Sequence, residues 1–290
     1  MYIINGTTQK IEEMRNIKQI LRLLSLLCLA IVIAAPDCEA KGKRLGRQRA
    51  NKYDIYLMIG QSNMAGRGRL LAADTLKNIE GVWLLNDKDK PEPARNPLNK
   101  YSSIRKKYGM QQMSPGYGFA TKVHSKTGRK ILLVHNARGG TSISWWLPDS
   151  DHANPNYYSE AVRRTRKAMK YGTLRAILWH QGCADSGKAL PQYMGRLKTL
   201  VENLRRDLKA KDVPFIAGEL AYWRKSSVKF NKTIRTISEH IPNSDYVSAE
   251  GCGMLKNEKD PHFSREGEVL LGERYADKVL ALVYGISTAK

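Results

Sequence analysis

The chain has 290 residues, 42% of them hydrophobic, which suits one α/β domain of ordinary size with a proper core and excludes a disordered, collagenous or coiled-coil protein. Its net charge of +22 at pH 7 favours association with polyanions. No helix-turn-helix signature, zinc-finger spacing or RNP-like aromatic strand accompanies that charge, so no specific nucleic-acid partner is expected; a solvated basic surface is the plain reading and attraction to acidic glycans or anionic envelope polymers the other.

Residues 1–40 read as an export signal. Lys18 and Arg22 supply positive charge, and Leu21 to Ala35 is an apolar run of signal-peptide length, too short to span a bilayer comfortably. Cleavage is expected after Ala40, with Ala35 as competitor and an uncleaved anchor as the alternative. The signal's basic residues (Lys10, Arg15, Lys18, Arg22) are matched in number by its acidic ones (Glu12, Glu13, Asp37, Glu39), so the mature chain keeps the whole charge. No later segment is long and apolar enough to span a membrane. Residues 41–52 form a basic linker, and 53–290 are expected to form one domain.

Within that domain, short apolar runs alternate with amphipathic stretches. Tyr53–Gly60, Lys130–Asn136, Leu174–His180, Val213–Leu220 and Asp245–Ala249 are near-continuous apolar runs, the pattern of strands covered on both faces. Gly116–Lys126, Asn156–Tyr171, Pro191–Ala210, Val228–His240 and Ser264–Tyr284 read as helices. Strand alternating with helix predicts a three-layer α/β/α sandwich around a central parallel sheet of about five strands. The polar segment Arg67 to Pro115 reads as loop with short elements.

Ligands of open parallel sheets bind at the carboxyl ends of the strands. There the sequence places Gly60-Gln61-Ser62-Asn63-Met64-Ala65-Gly66, Gly139-Gly140-Thr141-Ser142, Trp179-His180-Gln181-Gly182-Cys183-Ala184-Asp185 and Asp260-Pro261-His262-Phe263. A serine hydroxyl needs a base to take its proton, histidine suits that task near neutral pH, and a carboxylate orients the histidine. Glycines let backbone N–H groups approach a developing oxyanion. Ser62 as nucleophile, His262 as base, and the Ser62 and Gly140 N–H groups as oxyanion donors satisfy these needs. The G-x-S-x-G elbow of α/β-hydrolases is absent, because Met64 stands where its second glycine would.

These blocks resemble those of SGNH hydrolases in the sialate O-acetylesterase and acetylxylan esterase branch, close to carbohydrate esterase family six. The resemblance runs from the first block at Gly60 through Gly139-Gly140 with Trp145 and Trp146 and Trp179-His180-Gln181-Gly182 to Asp260-Pro261-His262. It spans roughly residues 53–280. It implies the flavodoxin-like SGNH fold, an acetylated carbohydrate as substrate, no metal or organic cofactor, and Gln181 as a side-chain oxyanion donor. Gln61, Asn63 and Trp145 are candidate substrate contacts, Trp145 by stacking on a sugar ring or, alternatively, by covering the sheet edge.

Two positions depart from the family pattern. Cys183 stands where the family usually has Glu, and Lys259 where many members place an Asp, three residues before the histidine. Asp260 is the acid expected here, since side chains two apart in an extended segment point the same way and Pro261 favours extension. If no acid reaches His262, the chain would be a carbohydrate-binding pseudoenzyme. Cys183 and Cys252 both follow strands at the catalytic edge. An oxidising compartment would allow them to pair; two separated buried thiols is the competing picture.

Overall fold

The computed structural model describes residues 53–287; the signal and linker readings, residues 1–40 and 41–52, lie outside them. The strands are β1 (Tyr53–Gly60), β2 (Val82–Leu85), β3 (Pro91–Pro93), β4 (Ile131–His135), β5 (Gly172–His180), β6 (Phe215–Gly218) and β7 (Ser244–Val247). The helices are α1 (Ser62–Ala65), α2 (Ala73–Leu76), α3 (Pro115–Thr127), α4 (Tyr157–Ala168), α5 (Leu190–Asp207), α6 (Lys225–Arg235), α7 (Ile237–His240) and α8 (Arg265–Tyr284). One seven-stranded sheet has the order β3-β2-β4-β1-β5-β6-β7, parallel throughout except for the β2–β3 pair.

The apolar runs become central strands because both faces are covered. Along β1, Ile55, Leu57 and Ile59 face one core with residues of α4, α5 and α6, including Ala161, Leu197, Leu200 and Phe230. Tyr56 and Met58 face the other core with Phe119 and Val123 of α3 and Leu271 and Tyr275 of α8. Three layers follow. Helix ends obey local chemistry: Ser264 caps α8 by accepting from the Gly267 N–H at 3.1 Å, and α3 stops at Gly128 in the left-handed conformation.

The expected five strands are all present, and the sheet gains β2 and β3 from the segment read as loop. β2 is a run of only four residues, Val82-Trp83-Leu84-Leu85, too short to show a period. β3 is Pro91-Glu92-Pro93, a composition that fits only a sheet edge. The helix read as Val228–His240 is two helices meeting at Thr236.

This order makes β1 the switch point. The chain leaves β1 toward β2 and β4 on one side, then crosses to β5 on the other. The crevice therefore opens beyond the carboxyl ends of β4, β1 and β5. Gly60 ends β1 at φ 137°, and a Cβ there would meet the His180 carbonyl oxygen at 2.3 Å. Only glycine lets the ends of β1 and β5 come so close.

Candidate active site at the switch point

Ser62 opens α1 immediately after β1 and is 6% exposed. Its Oγ–H donates to His262 Nε2 at 3.0 Å. On the far side of that ring, Nδ1–H donates to Asp260 Oδ1 at 2.5 Å. Asp260 Oδ1 also accepts from the His262 backbone N–H at 3.1 Å, which fixes carboxylate and imidazole in one local turn. Serine, imidazole and carboxylate thus stand in a line, with Asp260 two residues before the histidine.

The loop carrying this pair is tied on three sides. Leu255 N–H donates to the His262 carbonyl at 2.9 Å and Ser264 N–H to Gly253 O at 2.8 Å. Asn63 Nδ2 donates to Pro261 O at 3.2 Å. Trp223 Nε1 donates to Asp260 O at 2.8 Å and its ring meets Phe263 edge-on. The sequence gives no sign of Trp223, which lies 37 residues from its partner.

Burial pulls the His262 pKa below its ordinary value. The Asp260 charge opposes that shift, whereas Arg67 and Lys256 add to it. The ring is therefore a free base at neutral pH, held with one nitrogen toward Ser62. His180 and His135 have other work. Each is fully enclosed, each bonds a backbone carbonyl (Glu219 O and Met64 O), and burial pulls both pKa values down to about 4.

The N–H groups of Ser62 and Gly140 are bonded to no acceptor among the described residues. Gly140 holds φ 75°, a conformation that suits glycine and presents this turn to the crevice. A Cβ on neighbouring Gly139 would lie 3.4 Å from the Ser62 Cβ, so the turn abuts the serine.

Gln181 does not serve as expected. Both hydrogens of its amide are committed, one to Thr141 O at 2.8 Å and one to Asp185 Oδ2 at 2.5 Å, and none remains for an oxyanion. Asp185 in turn accepts from Ser142 Oγ at 2.6 Å and Ile143 N–H at 3.0 Å. Gln181 and Asp185 are struts for the loop after β4.

Each of the three candidate substrate contacts also has partners within the protein. Gln61 is buried, and its Oε1 accepts from the Gly182 N–H at 3.1 Å, joining the loops after β1 and β5. Asn63 is buried against the histidine loop. Trp145 packs partly against the core while His152 stacks on its ring at 3.3 Å, so its face is already covered. Trp146 is wholly core, edge-on to Trp179.

Cys183 and Cys252 are both free thiols, which corrects the expected disulfide. They belong to opposite faces of the sheet. Cys183 packs on the core behind Ile55, Leu57 and Ile59, and Cys252 in the core behind Tyr56 and Met58. Burial raises the Cys183 thiol to about 11 and the Cys252 thiol to about 12, so neither is a ready nucleophile.

Comparison with known proteins gives a consistent result. The family model described as carbohydrate esterase, sialic acid-specific acetylesterase, matches residues 52–281. A protein of Arabidopsis thaliana described as a probable carbohydrate esterase is 28% identical over 247 residues, spanning 78% of this chain and 90% of that protein. An Arabidopsis thaliana X-ray structure superposes with a TM-score of 0.70 at 26% identity, covering 80% of this chain and 99% of the other. A carbohydrate acetylesterase of Xanthomonas citri gives a TM-score of 0.59 at 16% identity, over 80% of this chain and 57% of the other, a likeness of fold.

Proposed function

The chain belongs to this family of carbohydrate esterases and is a carbohydrate acetylesterase; from that premise we propose that it removes O-acetyl groups from a glycan through an acetyl-enzyme on Ser62. The observation that carries the proposal is the line from Ser62 Oγ through His262 to Asp260, with contacts of 3.0 and 2.5 Å, set at the switch point of the sheet.

In this reading Ser62 Oγ attacks the acetyl carbonyl as His262 Nε2 takes its proton. The Ser62 and Gly140 N–H groups receive the oxyanion. The imidazolium, stabilised by Asp260, then gives its proton to the departing sugar hydroxyl. Water enters by the same route and releases acetate. Asp260 supplies the carboxylate that Cys183 cannot, which removes the motive for reading the chain as a pseudoenzyme. The proposal extends to export through residues 1–40, supported by Lys18 and Arg22 ahead of an apolar run.

The test is acetate release from a panel of O-acetylated glycans, including sialosides and xylo-oligosaccharides, by wild type and by Ser62→Ala. Release by the wild type alone is expected. A folded Ser62→Ala protein with wild-type turnover would refute the nucleophile. Mass analysis of the mature protein, expected to begin at Lys41, tests export.

A further inference from the structure

We propose that the outer face of α6 is a binding track for a polyuronate, an acidic polysaccharide with a carboxylate on each sugar, whose acetyl groups it presents to Ser62; the proposal rests on the acetylesterase reading of that site. α6 follows β6, so it starts at the carboxyl edge of the sheet and runs away from the crevice. Its start is tied to the site. Trp223, whose Nε1 donates to Asp260 O, lies two residues ahead of Lys225. Further along, Phe230 packs against the loop after β5: a Cβ on Gly182 would stand 2.2 Å from Phe230 Cζ. A glycan held with one acetyl group at Ser62 has this helix beside it.

The helix sorts its residues by face. Ser227, Phe230, Asn231 and Ile234 are buried. Lys225, Lys229 and Lys232 are exposed and, spaced four and three apart, share one face with Val228, itself 52% exposed. Neither these lysines nor Arg224 at the N-cap has an ion pair among the described residues. No acid occurs from Leu220 to Ser238, and Glu219 just before them is buried and bonded to Arg235. Local stability does not account for the pattern. Like charges at these spacings repel, and cations at Arg224 and Lys225 face the positive end of the helix dipole. The opposite layer is not built this way: α8 mixes Glu266, Glu273 and Asp277 with Arg265, Arg274 and Lys278.

The spacing selects the occupant. Lys225 to Lys232 spans about 10 Å of helix axis, a step of about 5 Å per cation, close to the length of a single sugar unit in an extended chain. A polyuronate carries its carboxylates at that step. The exposed residues of α6 include no aromatic ring, the platform on which the bases of a single-stranded nucleic acid stack. Holding neighbouring sugars by charge raises the local concentration of acetyl groups at Ser62. Such binding is equal in ground and transition states, so it lowers KM and leaves the acyl transfer as it is.

The experiment compares the wild-type surface with Lys225→Gln/Lys229→Gln/Lys232→Gln, with Lys225→Arg/Lys229→Arg/Lys232→Arg, and with Lys77→Gln/Lys126→Gln/Lys130→Gln, which removes as much charge outside α6. Binding of polygalacturonate is titrated on the Ser62→Ala background, where no chemistry intervenes. Turnover is measured with Ser62 in place on O-acetylated polygalacturonate, O-acetylated dextran and p-nitrophenyl acetate, the last two being neutral. The α6 glutamine variant should bind polygalacturonate about tenfold more weakly at low salt, with a shallower salt dependence, and its KM on the acetylated polyuronate should rise in parallel while kcat holds. Its turnover of both neutral substrates should match wild type. The arginine variant and the variant outside α6 should behave as wild type throughout. Absence of binding by the wild-type surface, unchanged affinity in the α6 glutamine variant, or an equal loss in the variant outside α6 would overturn the proposal. So would a loss of p-nitrophenyl acetate turnover in the α6 glutamine variant, which marks a structural role. Tighter binding of a single-stranded oligonucleotide than of polygalacturonate would overturn it in favour of nucleic acid. Failure of the underlying reading shows differently, as activity surviving in Ser62→Ala or no acetate released from any glycan while polygalacturonate still binds.

Discussion

Replacing Asp260 with Asn keeps the shape of the relay and removes its charge. In the resting enzyme the carboxylate faces a neutral imidazole; when Ser62 attacks, the ring becomes an imidazolium 2.5 Å from Asp260 Oδ1. With charge centres about 4 Å apart and an effective dielectric constant near 20, the attraction lost is about 4 kcal/mol. That figure suits this pair, whose side chains are 25% and 14% exposed, neither open to solvent nor sealed from it. Since it acts on the charged state alone, it falls on the barrier and predicts a loss of kcat of about a thousandfold. The acid limb should also move to lower pH, because Asp260 raises the His262 pKa. The assay is p-nitrophenyl acetate turnover across pH 4.5–9, with Asp185→Asn as comparison. Asp185 accepts from Ser142, Ile143 and Gln181 and touches neither Ser62 nor His262, so its replacement should lower Tm and cost far less activity. A folded Asp260→Asn protein within tenfold of wild type would refute the argument.

The remaining predictions concern groups away from the reaction. Both thiols, Cys183 and Cys252, should react with maleimide in unreduced protein under denaturing conditions; labelling that needs prior reduction would show the bond that the structure lacks. Glu268 is fully buried, and burial raises its pKa well above the unfolded value of 4.5 against the opposing pull of Arg67. Above pH 4.5 the unfolded state releases a proton that the native state keeps, so stability falls as pH rises until the folded group ionises. Glu268→Gln should therefore raise Tm at pH 8 and not at pH 4; an equal effect at both would contradict this. Arg164 is buried on α4 and donates from Nη2 to Leu85 O at 2.7 Å, where β2 ends. Arg164→Met leaves that carbonyl without its donor, at a cost of about 1–3 kcal/mol, and should lower Tm by roughly 2–4 °C for each kcal/mol lost; an unchanged melting curve would contradict this.

Much of this protein was legible in its sequence because the relevant signals are local. An apolar run such as Tyr53–Gly60 has to be covered on both faces, and five such runs spaced by helical patterns define a parallel sheet. The residues just after a strand lie at its carboxyl end whatever the rest of the chain does, so Ser62, Gly140 and the Asp260–His262 segment could be placed at one edge beforehand. Asp260 was reachable from the two-residue spacing of an extended segment. Tertiary structure decided what depends on partners far away in the chain. β2 is too short and β3 too rich in proline to announce itself; β2 is a strand because β4 supplies an edge to pair with, and β3 because β2 supplies the next one. Whether Cys183 and Cys252 meet depends on which face of the sheet each enters, a matter of chain path after β5 and β7 rather than of spacing. A glutamine's amide can donate toward any acceptor within reach, and for Gln181 the fold supplied Thr141 and Asp185. Trp223 holds Asp260 across 37 residues, and Arg67 reaches Gly139 only because the loops after β1 and β4 converge at the switch point. Hydrophobic periodicity is a property of neighbouring residues, whereas the direction of a side chain's spare hydrogen is set by whichever distant atom the fold brings to it.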